Sequence, residues 1–168
     1  QEHLLFRGSV QRGTDLLLAS DAQALETVLR LDDASSLEPG AEIAVGWVIS
    51  DAFVDEHQMS GTWVSFNGQW RSFFRRSVVS VDTSVSPHEV TVDVPLRYPA
   101  LVRDQASVRV ETGYLSECGV QDLAVSSVVD WDAAWTIDRS HVIGFEDVKD
   151  CWVRDVASYE SPHSSDDR

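Results

Sequence analysis

The sequence predicts an all-β protein whose C-terminal part stacks strands as a solenoid. Three observations carry this. Valine is the commonest of the 168 residues, at 24, and its branched side chain favours extended backbone. Several windows alternate apolar and polar residues with period two, the mark of a half-buried strand. Residues 118–124 (CGVQDLA) and 151–157 (CWVRDVA) share Cys-x-Val-x-Asp-aliphatic-Ala at an offset of 33. A fixed period lays each strand on its predecessor, about 4.8 Å away. Cys118 would then lie over Cys151, Val120 over Val153 and Asp122 near Asp155.

The elements follow in order. Residues 1–40 hold short apolar runs at Leu4–Phe6, Leu16–Ala19 and Thr27–Leu31. Within them, Ala24, Leu25, Val28 and Leu31 recur at helical spacing, so Ser20–Leu31 reads as the one helix, capped by Asp21. Thr27–Leu31 also alternates as a strand would. Glu38-Pro39-Gly40 punctuates the chain. Residues 41–110 carry longer strands: Ile43, Val45, Trp47 and Ile49 share a face, as do Val90, Val92 and Val94, and Ala106, Val108 and Val110. Most aromatics fall in the same block. Residues 111–168 return to short runs, with His141–Phe145 and Asp147-Val148 as a further side of the solenoid.

Charge and cysteine content exclude several functions. Thirteen basic residues stand against 28 acidic ones, a net charge of −15. Such a surface repels phosphate backbones, which argues against nucleic-acid binding. Twelve of the basic residues are Arg and 18 of the acids are Asp, a balance that suits high salt or reflects GC-biased codons. No apolar run is long enough to span a membrane as a helix, and no secretion signal is visible. The first residue is Gln1 rather than Met, so the chain reads as an excised piece. Two cysteines make neither a disulfide scaffold nor a zinc site; they are either buried thiols or one bridge. Phosphate loops, nucleophile elbows, CxxC pairs and HExxH are absent.

Phe6-Arg7-Gly8-Ser9-Val10-Gln11-Arg12-Gly13-Thr14-Asp15-Leu16 resembles the first coil of pectate-lyase-like proteins. The run from His141 through Cys151-Trp152-Val153-Arg154-Asp155-Val156 is similar to their later coils. Gly61-Thr62-Trp63, Arg75-Arg76 and Pro95-Leu96-Arg97-Tyr98-Pro99 resemble a segment of some bacterial members. The resemblance implies right-handed parallel β-helix coils at 1–40 and 111–168, with 41–110 as an inserted small antiparallel, barrel-like sheet. It implies the opening part of a longer carbohydrate-active protein, a polysaccharide lyase or glycoside hydrolase, at an extracellular or cell-surface location. A non-catalytic adhesive or carbohydrate-binding β-helix segment is the alternative. Further coils, or a second copy, would cover the open strand edge after Tyr159.

No catalytic motif stands out, so candidate residues are argued by type. Trp47, Trp63 and Trp70 are flat surfaces for sugar rings, and Arg71, Arg75, Arg76 and Arg97 are forks for uronate carboxylates. Core packing and ion pairing with the many acids account for the same residues. Asp51, Asp55, Glu56 and His57 form an acid/base or Ca2+ candidate; a solvated loop is the plainer explanation, and the spacing is not that of an EF-hand. Asp122 and Asp155, if stacked, are a catalytic or Ca2+ candidate; turn-forming carboxylates do the same. Asp130-Trp131-Asp132 with Trp135 reads as a turn or a binding loop, and His163 with Asp166-Asp167 as a polar tail. The expected carbohydrate-binding set is His57, Trp63, Trp70 and Arg97, with a polysaccharide as partner and no fixed metal. A groove of converging Arg, His and carboxylates would mark an enzyme. Scattered positions would mark a binding or structural segment.

Overall fold

The computed structural model describes residues 4–126, 136 and 141–159. In chain order its strands are β1 (Leu4–Arg7), β2 (Gln11–Arg12), β3 (Leu16–Leu17), β4 (Val28–Leu31), β5 (Glu42–Val48), β6 (Trp70–Asp82) and β7 (His88–Val92). There follow β8 (Ser107–Thr112), β9 (Leu115–Ser116), β10 (Gly119–Val125), β11 (Ile143–Glu146), β12 (Val148–Lys149) and β13 (Trp152–Ser158). Among the described residues one α-helix, α1 (Asp51–Glu56), lies between β5 and β6, and a 3-10 turn at Val102–Asp104 precedes β8. The chain is all-β, as its alternation predicts. It divides into two units, Gln11–Thr112 and Gln1–Val10 with Gly113–Arg168.

The Gln11–Thr112 unit is an antiparallel sheet in the order β2-β8-β5-β6-β7-β4, with β3 also on β8. The path is open, so the expected barrel-like closure does not form; a single bridge, Leu18 to Leu31, links the region after β3 to β4. One face holds the core, with Leu29 and Leu31 of β4, Ile43, Val45 and Trp47 of β5, and Val90 and Val92 of β7. These are the alternating positions of the sequence. The sheet also takes in residues 11–40, expected among the coils. Runs of two to four residues carry too little pattern to show whether they pair in parallel or antiparallel.

Ser20–Leu31 is not a helix. Leu25 sits at φ 70° with its side chain 81% exposed. Its N–H bonds to Leu96 O, while Ala22 and Ala100 exchange backbone bonds. Thr27–Leu31 obeys its period-two alternation, and β4 pairs Val28 with Thr91 and Leu31 with His88 on β7. The helical spacing lost because those backbone groups find partners across the sheet. The converse holds at residues 51–56, where a solvated loop was the plainer expectation. Ser50 Oγ accepts the Phe53 N–H at 3.0 Å and caps α1, and Val54 is buried beneath it.

The other unit consists of parallel pairs: β1 with β11, β9 with β12, and β10 with β13. Gly119 faces Trp152, Val120 faces Val153 and Ala124 faces Ala157, so the 33-residue repeat pairs in register. Leu115 faces Val148 at the same offset. Leu4 faces Ile143 at an offset of 139, of which 102 residues are the antiparallel unit, leaving 37. Phe6 and Phe145 stack with centroids 4.9 Å apart, and Arg7 meets Glu146 at 2.7 Å.

Asp122 and Asp155 both take the left-handed conformation, at φ 56° and 51°. They fall where the register skips from Gln121–Arg154 to Leu123–Val156. Aspartate tolerates that conformation better than branched residues do, which gives the repeat's Asp a backbone role. Cys118 and Cys151 are free thiols, half-buried, with their Sγ atoms against the carbonyls of Ser116 and Lys149. Gly119 replaces the Trp of the second copy for a steric reason: a Cβ there would lie 2.3 Å from the Trp152 indole.

Candidate functional site

The sheet of the Gln11–Thr112 unit has a second face, and its floor is made small by sequence. Along β5, Ile43, Val45 and Trp47 point to the core, so Ala44 and Gly46 point the other way. Ala44 lies between Arg75 of β6 and Arg109 of β8, and Gly46 between Ser72 and Ser107. A Cβ on Gly46 would meet Trp70 ring carbons at 2.5 Å. The glycine therefore lets the Trp70 indole lie flat on the sheet, where its Nε1–H donates to Ser107 Oγ at 2.8 Å.

Four arginine residues border this floor. Arg12, Arg71, Arg75 and Arg109 line a basin of about 350 Å³ with Trp70 and Ser72. Arg109 lies 3.8 Å over the Trp70 ring, and Arg71 lies 4.0 Å over Phe66. Two carboxylates hold the walls. Glu111, 1% exposed, accepts from Arg12 at 2.9 Å and from Arg75 at 3.0 Å. Asp15 accepts from Arg109 and Ser107. The hydrogen bond from Arg109, more than its charge, holds the Asp15 carboxyl below its usual range, against the opposing effect of burial. Three of the four arginines thus meet a carboxylate here, in a chain of net charge −15. Arg71 meets no carboxylate among the described residues.

Two further cavities lie in the same unit. A cleft of about 370 Å³ is walled by Trp47, Phe53, Phe73 and Tyr98, with Glu56 and Asp104 among its polar groups. A smaller one, about 230 Å³, shares Phe53 and Phe73 with the cleft and Arg71 and Ser72 with the basin.

The expected residues are distributed over these places. Trp70 is in the basin and Trp63 in the small cavity, its Nε1–H donating to Ser65 O. His57 lines the cleft, with Nδ1 2.7 Å from Phe53 O. Arg97 is exposed on the surface and lines none of the three. Arg71 and Arg75 are among the residues that line the basin, whereas Arg76 donates to the carbonyls of Val94, Pro95 and Arg75. Trp47 is a core residue stacked 3.8 Å on Phe73, not part of a platform with Trp63 and Trp70.

The acid cluster of residues 51–57 disperses around α1: Asp55 accepts from Ser60 and Glu56 pairs with Arg103. Asp122 accepts from Gln121 and Asp155 lies near Arg154. Among the described residues no three His, Cys, Asp or Glu side chains converge to hold a metal. The Asp130–Asp132 loop with Trp135, and the tail of His163, Asp166 and Asp167, lie outside the described residues.

Arg12, Arg109, Tyr98 and Asp104 were not singled out from sequence. Arg109 had a signal, since it alternates with Val108 and Val110 on β8 and so belongs to the face away from the core. Arg12 had none, in a strand of two residues.

No protein-family model matches the chain, and no curated protein matches it. Among solved structures it is similar to the Gp54 tailspike of Acinetobacter baumannii bacteriophage AP22, solved in complex with A. baumannii capsular saccharide. Identity is 15%, and the match covers 69% of this chain and 18% of the tailspike, with a TM-score of 0.42. The chain thus spans less than a fifth of that protein's length. A likeness at this level carries no argument about ligand or activity.

Proposed function

We propose that the arginine–tryptophan basin binds an acidic polysaccharide. The observation that carries this is the gathering of four arginine residues around the Trp70 indole in a strongly acidic chain. Guanidinium forks match carboxylates in bidentate geometry. An indole offers a flat face to the apolar side of a sugar ring. A uronate supplies both partners in one residue. The reading is one of binding rather than turnover: Asp15 and Glu111 already accept hydrogen bonds from arginine, so neither is free to act as a general acid.

In the same reading the parallel pairs β1–β11, β9–β12 and β10–β13 are the opening coils of a right-handed parallel β-helix, and the antiparallel unit is an excursion from the first coil. The offsets of 33 and 37 residues support this. Further coils, or a second copy, extend the edge of β13, whose Trp152 and Val153 are exposed. An extracellular or cell-surface polysaccharide is the natural partner.

The test is titration with hexagalacturonate, followed by tryptophan fluorescence, against a neutral hexasaccharide of glucose. Binding of the acidic oligomer should weaken with salt. Arg71→Ala should weaken it about tenfold, the worth of one charged hydrogen bond, without loss of fold because Arg71 is exposed. Equal binding of the neutral oligomer, or wild-type affinity in Arg71→Ala, would refute the assignment.

A further inference from the structure

We infer that the cleft beside α1 is a second saccharide site, separate from the basin, and that it takes a neutral hexopyranose unit. Its walls are aromatic: Phe53, Phe73 and Tyr98 present rings to a space of about 370 Å³, large enough for a small ligand. Its polar groups have the opposite sign to those of the basin. Arg103 donates to both Glu56 and Asp104, and Ser50 Oγ also donates to Asp104. The Glu56 hydrogen bond, chiefly, raises the Arg103 pKa above its usual range. Two carboxylates against one guanidinium leave the cleft anionic, which repels a uronate. Sugar hydroxyls donate to carboxylates, and the C–H face of the ring packs on aromatic surface.

A further observation points the same way. Trp47, which helps to wall the cleft, is 2% exposed, and its Nε1–H has no acceptor. A buried donor without a partner is costly and uncommon. Nε1 is closed to the cleft, so a ligand hydroxyl or ring oxygen would supply the missing acceptor only by shifting the indole or a neighbour as the cleft fills. The site is built by elements of one unit: β5 brings Trp47, α1 brings Phe53 and Glu56, β6 brings Phe73, and the segment before β8 brings Tyr98 and Asp104.

The experiment uses cellotriose and maltotriose as neutral probes and trigalacturonate as the charged one. Binding is read by saturation-transfer NMR and tryptophan fluorescence. A neutral trisaccharide should bind, and Tyr98→Ala should weaken it about tenfold, since Tyr98 is half exposed and its loss leaves the core intact. Trp47→Phe should weaken binding; it lowers the melting temperature as well, since it leaves a cavity in the core, so binding is read well below that temperature, where the variant is folded. Arg71→Ala should leave neutral binding unchanged. The inference falls if neither neutral probe binds, if Tyr98→Ala and Trp47→Phe bind as wild type, or if Arg71→Ala abolishes neutral binding together with that of trigalacturonate. Loss of trigalacturonate binding only, in any variant, bears on the basin and leaves the cleft standing.

Discussion

Glu111 sets the stability of the basin, and its replacement has a calculable cost. The carboxylate is 1% exposed, while its partners Arg12 and Arg75 are 43% and 51% exposed. The asymmetry decides which deletion hurts more. Glu111→Gln removes a buried charge and lets both guanidinium groups return to water. Two charge-assisted bonds are lost, each about 1.5–3 kcal/mol, but the desolvation penalty of the carboxylate goes with them. The net cost should be about 1–2 kcal/mol. The double variant Arg12→Ala/Arg75→Ala does the reverse. It takes both of these guanidinium groups away from a carboxylate that stays buried, and that should cost about 3–5 kcal/mol. Urea unfolding, followed by tryptophan fluorescence and circular dichroism, measures both. Glu111→Gln should also tighten hexagalacturonate binding, since the basin gains one net positive charge. If Glu111→Gln costs more than the double arginine variant, the carboxylate is not the buried member of this network and the electrostatic account of the basin is wrong.

Two further outcomes follow from the geometry. Asp155→Val should destabilise the β10–β13 pair by about 1–2 kcal/mol, because a branched residue is strained at φ 51°, whereas Asp155→Gly should cost little; amide hydrogen exchange in β10 and β13 reads the difference, and equal protection in the two variants counts against the backbone role of Asp. Asp15, with its pKa depressed below the ordinary 3.8 chiefly by the Arg109 hydrogen bond, contributes stability that is full above that value and disappears as pH falls through its lower folded value. Its side chain is 42% exposed, so the contribution stays below about 1 kcal/mol. Wild type should melt slightly above Asp15→Asn at pH 6 and converge with it near pH 2; a gap that persists undiminished at pH 2 would contradict the assignment.

Alternation in β4, β5, β7 and β8 was legible because one face of each strand must be buried, and period two is the only pattern that does so. The 33-residue repeat was legible for a related reason: stacked strands bring equivalent positions together, so Val120 and Val153 or Ala124 and Ala157 occupy like surroundings. The site was only half legible. Trp70, Arg71 and Arg75 were candidates by residue type, yet type could not separate Arg75, in the basin, from Arg76, whose guanidinium closes on backbone carbonyls. Neighbours on one strand point to opposite faces, and which face lay free depended on the register of β5 with β6 and β8.

Sequence by itself determined the class of secondary structure, the parallel stacking of the two repeat copies and the excess of negative charge. These are local or periodic properties, set by side-chain branching, by alternation and by ionisable groups counted along the chain. Tertiary structure decided that residues 11–40 join the antiparallel sheet, that 20–31 is extended, and that Arg12 and Arg109, 97 residues apart, border one basin with Trp70. Those outcomes depend on which backbone hydrogen bonds form between distant segments, and no short window of sequence contains both partners.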